Sequence, residues 1–167
     1  MMNQWLSFRG RFALAMCLAG LMTVLVSENR ASAQEGQGRY VTEAAARLTK
    51  LIDASNKGGF VLQNNSFSIG GGWLKQSQTA WVPLFTVPLV EGKTYRFLAA
   101  GDVDAKDVDL EVQDANGKSV AIDTRTDPEA VVDFTPTTSG NYVVRIRLYD
   151  SDRNQPCVCL AVMMTKN

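Results

Sequence analysis

The stretch GDVDAKDVDLEVQDANG, Gly101–Gly117, decides how the chain folds. Within it Val108, Leu110 and Val112 alternate with Asp107, Asp109 and Glu111. Successive side chains of a β-strand face opposite sides, so this pattern predicts a half-buried strand. The apolar row is expected to enter a core and the acidic row to lie on an outer, solvated face. Asp114-Ala115-Asn116-Gly117 then predicts a tight turn. Asp and Asn accept hydrogen bonds from nearby backbone there and Gly supplies a positive φ, so Asp114 needs no further role.

Working outward, short segments rich in Val, Phe, Tyr and Thr recur from Phe60 onward, separated by turn residues. The expected strands are Phe60–Ile69, a region around Thr79–Leu89, Thr94–Ala100, Val108–Gln113, Lys118–Asp123, Ala130–Phe134, Asn141–Tyr149 and Cys157–Met164. Gly70-Gly71-Gly72 reads as a break or bulge between strands. This spacing predicts a mostly β chain folded as an antiparallel β-sandwich. Pro83 and Pro88 each remove a ladder donor, which places their strand at an edge or bulges it. Trp73 and Trp81 are expected to close one end of the core, with an aromatic binding platform as the alternative reading. In 142–149, Tyr142, Val144, Ile146 and Leu148 form the expected inner row. Val143, Arg145, Arg147 and Tyr149 form the expected outer row, where Arg147→Gln should cost little.

The N-terminal third reads differently. MMNQWLSFRGRF carries Arg9 and Arg11 without an acid, and an apolar run from Phe12 to Val26 follows. That run is short of the roughly 20 residues a spanning helix needs. Ala31-Ser32-Ala33 supplies an A-x-A cleavage pattern. Residues 1–33 are therefore expected to be a signal peptide, with the remainder exported to the periplasm or beyond. Residues 34–40 read as a polar leader. In 41–59, Val41, Ala44, Ala45, Leu48, Leu51 and Ile52 recur at helical spacing, which predicts one amphipathic helix with Thr42 as its cap and Gly58-Gly59 as its end. The sandwich takes 60–167.

Composition excludes several functions. The chain has 17 Lys and Arg against 17 Asp and Glu, and loss of the signal peptide leaves a small excess of acid. That balance offers no basic surface for nucleic acid or for an anionic membrane, and no membrane association is expected after cleavage. The chain contains no histidine. Ser-His-Asp, Cys-His and His-ligated zinc arrangements are thereby removed together. No G-x-S-x-G elbow occurs, and the glycines at 70–72 lack the Lys-Ser/Thr of a phosphate loop.

Asp107-Val108-Asp109-Leu110, the turn Asp114-x-Asn116-Gly117, Val131-Val132-Asp133-Phe134-Thr135-Pro136 and Ser139-Gly140-Asn141-Tyr142-Val143-Val144-Arg145 together resemble the bacterial pre-peptidase C-terminal domain. The resemblance covers roughly residues 85–165. It implies a jelly-roll-like β-sandwich that is itself non-catalytic, usually appended to exported enzymes, with relatives that bind calcium or matrix polymers. Two features depart from the pattern: no catalytic domain accompanies the sandwich in this sequence, and the last strand reads Cys157-Val158-Cys159-Leu160.

Asp102, Asp104 and Asp107 offer hard oxygen ligands, and with backbone carbonyls they are the candidate calcium site. The helix-loop-helix calcium pattern fails, because counting from Asp102 the fifth, sixth and twelfth positions are Lys106, Asp107 and Gln113. The competing reading is a solvated acidic rim partly neutralised by Lys106. Cys157 and Cys159 fall on one face of a strand at the upper separation limit for a disulfide, so buried reduced thiols are expected. The leading expectation is an exported, non-catalytic sandwich that binds or supports a cell-envelope polymer, a partner protein or calcium. The alternative is a small secreted hydrolase using carboxylates.

Overall fold

The alternation at 107–112 is realised in β5 (Ala105–Gln113), whose Val108, Leu110 and Val112 are buried. Its neighbour is β8 (Gly140–Ser151), which buries Tyr142, Val144, Ile146 and Leu148 on the same side. With β3 (Val82–Leu89) and β6 (Ser119–Asp123) at the edges they form a four-stranded antiparallel sheet in the order β3-β8-β5-β6. The computed structural model describes residues 36–63 and 67–166. The expected signal peptide and its cleavage site lie outside them.

A second antiparallel sheet runs β1-β9-β4-β7, from β1 (Phe60–Leu62), β9 (Cys157–Lys166), β4 (Tyr95–Gly101) and β7 (Glu129–Phe134). Its fifth strand, β2 (Ile69–Leu74), also pairs with β9. The inner residues of both sheets make one core: Phe97, Ala99, Val132, Cys159 and Ala161 from this sheet meet Val108, Leu110, Val144, Ile146 and Leu148 from the other. The molecule is thus the mostly β, two-sheet sandwich that the sequence predicts. The pairs β2–β9, β3–β8, β4–β7 and β5–β6 nest inside one another, as if one long antiparallel ribbon were bent across both sheets. We read that nesting as jelly-roll connectivity.

The β1-containing sheet is also apolar on its outer face. Leu98 and Ala100 of β4 and Val162 and Met164 of β9 alternate with the inner residues and pack against Leu48, Leu51 and Ile52. Those three belong to helix α1, residues 36–57. A strand buried on both faces loses the period of two and reads as a continuous apolar run. Phe97-Leu98-Ala99-Ala100 and Cys157 through Met164 do so for this reason.

Several expectations are corrected. The strand expected over Phe60–Ile69 is confined to β1 at Phe60–Leu62, and Ile69 already opens β2. Residues 36–40, read as polar leader, are already helical, and Thr42 lies inside the helix instead of capping it. An Arg39–Glu43 ion pair at 2.8 Å and an edge-on Tyr40–Trp73 contact at 5.4 Å support this first stretch. Gly70, Gly71 and Gly72 are no break: they lie within β2, paired with Ala161, Leu160 and Cys159. Here glycine is needed for close approach, since a Cβ on Gly70 would press on the Phe85 ring, and Gly71, at φ +145°, has no room for one against the Cys159 carbonyl. The tryptophans do not close the core. Trp73 is half exposed on β2, and Trp81 lies over arginines of β8. By contrast β3 is an edge strand with an irregularity between Pro83 and Phe85, as its prolines predict.

Candidate functional site

The outward row of β5 faces the outward row of β8. The register sets Asp109 opposite Arg147 and Glu111 opposite Arg145. Arg147 Nε donates to Asp109 Oδ2 at 2.7 Å, and Arg145 Nη1 lies 3.3 Å from Glu111 Oε2. Above them passes the chain before β3: Arg147 Nη1 donates to the Gln78 carbonyl at 2.6 Å, and its guanidinium stacks 4.5 Å from the Trp81 ring and 4.8 Å from Tyr149. Gln76 Oε1 and the Ser77 N–H tie the same segment to Ser151 and Leu148.

The acidic row therefore lies on the outer face as expected, but it is not solvated. The Asp109 side chain is 2% exposed and that of its partner Arg147 13%. Cross-strand guanidinium groups and the covering segment exclude water, so Asp109 and Glu111 are held in place as structural ion pairs. The expectation that Arg147→Gln is cheap is overturned by the same contacts. Asp109 is pushed above the usual carboxylate range by burial, with the Arg147 hydrogen bond opposing the shift.

Asp107 is the member of the row without such a partner. Across the ladder it meets Asp150, and its Oδ1 is buried with no hydrogen-bond partner among the described residues. Like charges directly opposite on a sheet destabilise it. Burial first, then Asp109, Asp127 and Asp150, push its carboxyl up to about 6, against the pull of Arg147.

The three candidate calcium ligands are not brought together. Asp102 is fully buried, and its two carboxylate oxygens accept from backbone: Oδ2 from the Val158 N–H at 2.6 Å and Oδ1 from the Asp104 N–H at 3.0 Å. Its carbonyl accepts from Arg47 Nη1 at 2.7 Å. Asp102 thus ties the β4–β5 turn to β9 and to α1. The Asp104 carbonyl accepts from the Asp152 N–H, while Lys106 pairs with Asp152 at 3.1 Å and not with the acids of the rim. Among the described residues no group of three or more acids, cysteines or histidines is placed to hold a metal ion.

Cys157 and Cys159 are free and buried on the inner face of β9. Burial, reinforced by Asp102, pushes the Cys157 thiol up to about 12, and burial likewise raises Cys159. Thiols kept protonated in this way are poor nucleophiles and poor metal ligands.

One feature absent from the sequence reading is a cleft of about 580 Å³ at an end of the sandwich. The β5–β6 turn forms one wall and residues 137–139, between β7 and β8, the other. The pairing of Gln113 with Val143 brings these two connections to the same end. Both walls are braced. Asp114 Oδ1 accepts from the N–H groups of Asn116 and Lys118, and Gly117 sits at φ +78°, as the turn chemistry predicts. Tyr142 Oη donates to the Thr138 carbonyl at 2.8 Å, with Phe134 set edge-on to its ring. The signal that could have found this site is the density of hydroxyl and amide side chains in 135–141, which served only as part of a family resemblance.

Fold and cleft together define a two-sheet sandwich with a polar surface depression at one end. No family model matches the chain, and no curated protein matches it.

Proposed function

We propose that the chain is an exported, non-catalytic binding module whose ligand is a cell-envelope polymer or an extracellular partner protein. The observation that carries this reading is the end cleft, a concave site walled by braced connections. Braced loops lose little conformational freedom on binding, which suits recognition. The engagement of three of the acids in the stretch Gly101–Gly117 gives further support. Asp109 and Glu111 are tied to arginines under a covering segment, and Asp102 accepts from backbone with both oxygens. Such groups are not free to move protons to and from a substrate. The resemblance to the pre-peptidase C-terminal domain points the same way, towards an accessory role beside exported enzymes. No helix among the described residues is long and apolar enough to cross a membrane.

The test is a pull-down of envelope fractions with the purified protein, run beside turnover assays on peptide, glycan and ester substrates. Retention of envelope material without turnover is expected. Turnover abolished by a single Asp→Asn change would replace this reading with the hydrolase.

A further inference from the structure

We propose that the end cleft binds a neutral oligosaccharide, an inference that rests on the binding-module reading and specifies its ligand. Besides the hydroxyls of Thr138, Ser139 and Tyr142, the cleft presents four neutral polar side chains: the carboxamides of Asn116 and Asn141 and the hydroxyls of Ser119 and Thr137. All four residues are exposed, and none of these side chains has a hydrogen bond within the described part of the protein. Each group combines donor and acceptor capacity. A sugar hydroxyl does the same, so either partner can adopt the role the other leaves open. Phe134, half-buried in the floor beside Tyr142, supplies an apolar surface against which the C–H face of a pyranose can rest.

Charge narrows the class. The lining carries one acid and one base, Asp114 and Lys118. An anionic polymer would face Asp114 and a cationic peptide would face Lys118, with no surplus of opposite charge to compensate. A neutral ligand meets neither penalty. The cleft is a partly open depression with polar walls, not a closed apolar cavity, which suits a polar ligand better than a small apolar molecule. The bracing bonds to Asp114 and from Tyr142 fix the backbone that carries these groups, and sugar hydroxyls would replace the solvent on the side chains.

The experiment titrates the purified protein with neutral hexasaccharides of β-1,4-glucose, N-acetylglucosamine and mannose, beside a uronic-acid hexamer, by calorimetry. Variants Asn141→Ala and Thr137→Val change exposed side chains outside the core, and thermal melts check that they fold. Binding of at least one neutral hexamer is expected, weakened about tenfold by either variant with an unchanged melting temperature. Binding of the uronic-acid hexamer alone, or neutral-sugar affinity that neither variant alters, would overturn the assignment. The envelope pull-down separates the two levels. If a protein carrying both Asn141→Ala and Thr137→Val still retains envelope material, the oligosaccharide cleft is wrong while the binding reading stands; if the wild-type protein retains none and binds no hexamer, both fail.

Discussion

The outer faces of the two sheets are covered by opposite means. On the β1-containing sheet, Leu98, Ala100, Val162 and Met164 lie beneath the apolar side of α1. On the β3-containing sheet, Asp109 and Glu111 lie beneath Arg145, Arg147 and the segment carrying Trp81. Burial is comparable, yet one face is held by apolar contact and the other by charges that satisfy each other. Polarity in a strand therefore locates the outer face without saying whether water reaches it.

The largest break in this comparison is Leu98→Asp. It would place an unpaired carboxylate between the β1-containing sheet and α1, and a loss of about 4 kcal/mol or more is expected in denaturant unfolding. If the outer face beneath α1 were as tolerant as a solvated surface, the unfolding midpoint would scarcely move.

Next in size is Arg147→Gln, which leaves Asp109 buried and short of its guanidinium partner. A loss of about 3 kcal/mol is expected, because breaking one half of a buried pair strands the other. The double change Arg147→Met with Asp109→Leu should recover most of it, to within about 1 kcal/mol of the wild type, since an apolar pair of similar size removes both charges together. A double variant no more stable than Arg147→Gln alone would show that the charges are not what this face depends on.

These two substitutions also mark how far the sequence was legible. Where one face is apolar and the other polar, as in 107–112 and 142–149, alternation located the strands, their inner rows and the turn at Asp114–Gly117. Edge placement of β3 followed from Pro83 and Pro88. What stayed hidden depends on partners distant in the chain. Asp109 and Arg147 are 38 residues apart, and nothing local to either says that a register aligns them. Trp81 read as core because a large aromatic usually is, whereas here its ring covers Arg147. The glycines of β2 read as a break because the need for them arises from Phe85 and the Cys159 carbonyl, on other strands. The cleft is assembled from two connections that become neighbours only once β5 and β8 pair.

A smaller effect of opposite sign is expected at Asp107, the acid of the row that no arginine faces in the ladder. Its carboxyl lies near 3.8 in the unfolded chain and is pushed up to about 6 in the folded one. The folded state therefore holds this proton more tightly. Its contribution to stability is fully present below about pH 4 and is lost as pH rises through about 6. Asp109, raised in the same direction, adds to the trend, whereas Asp123, where burial is outweighed by its bonds from Arg125 and the Val131 N–H, is lowered and opposes it. Asp107→Asn removes the one term and should stabilise the protein by about 1 kcal/mol at pH 7.5, with little change at pH 4. Melts of both proteins from pH 4 to 8 read the difference directly. A variant less stable than the wild type at pH 7.5 would mean that the Asp107 carboxylate is compensated by something other than Arg147.

The smallest effect concerns calcium. A calcium site built from Asp102, Asp104 and Asp107 would need several oxygens converging at 2.3–2.6 Å, a typical calcium–oxygen range. Asp102 would have to give up its bonds from the Val158 and Asp104 N–H groups, which anchor the β4–β5 turn, while Asp107 lies on the face shared with Asp150. The acids that remain exposed or half-exposed, Asp104 and Asp152 among them, are relieved by any salt, since screening acts on exposed like charges without regard to the ion. Melting curves in calcium, magnesium and sodium chloride at matched ionic strength are therefore expected to coincide, each shifted slightly from the curve at low salt. A rise specific to calcium and lost in Asp104→Asn would reverse this, because binding to the folded state alone raises stability in proportion to the logarithm of free ligand. It would also require the β4–β5 turn to exchange backbone hydrogen bonds for a metal, a rearrangement visible as altered amide exchange at Val158.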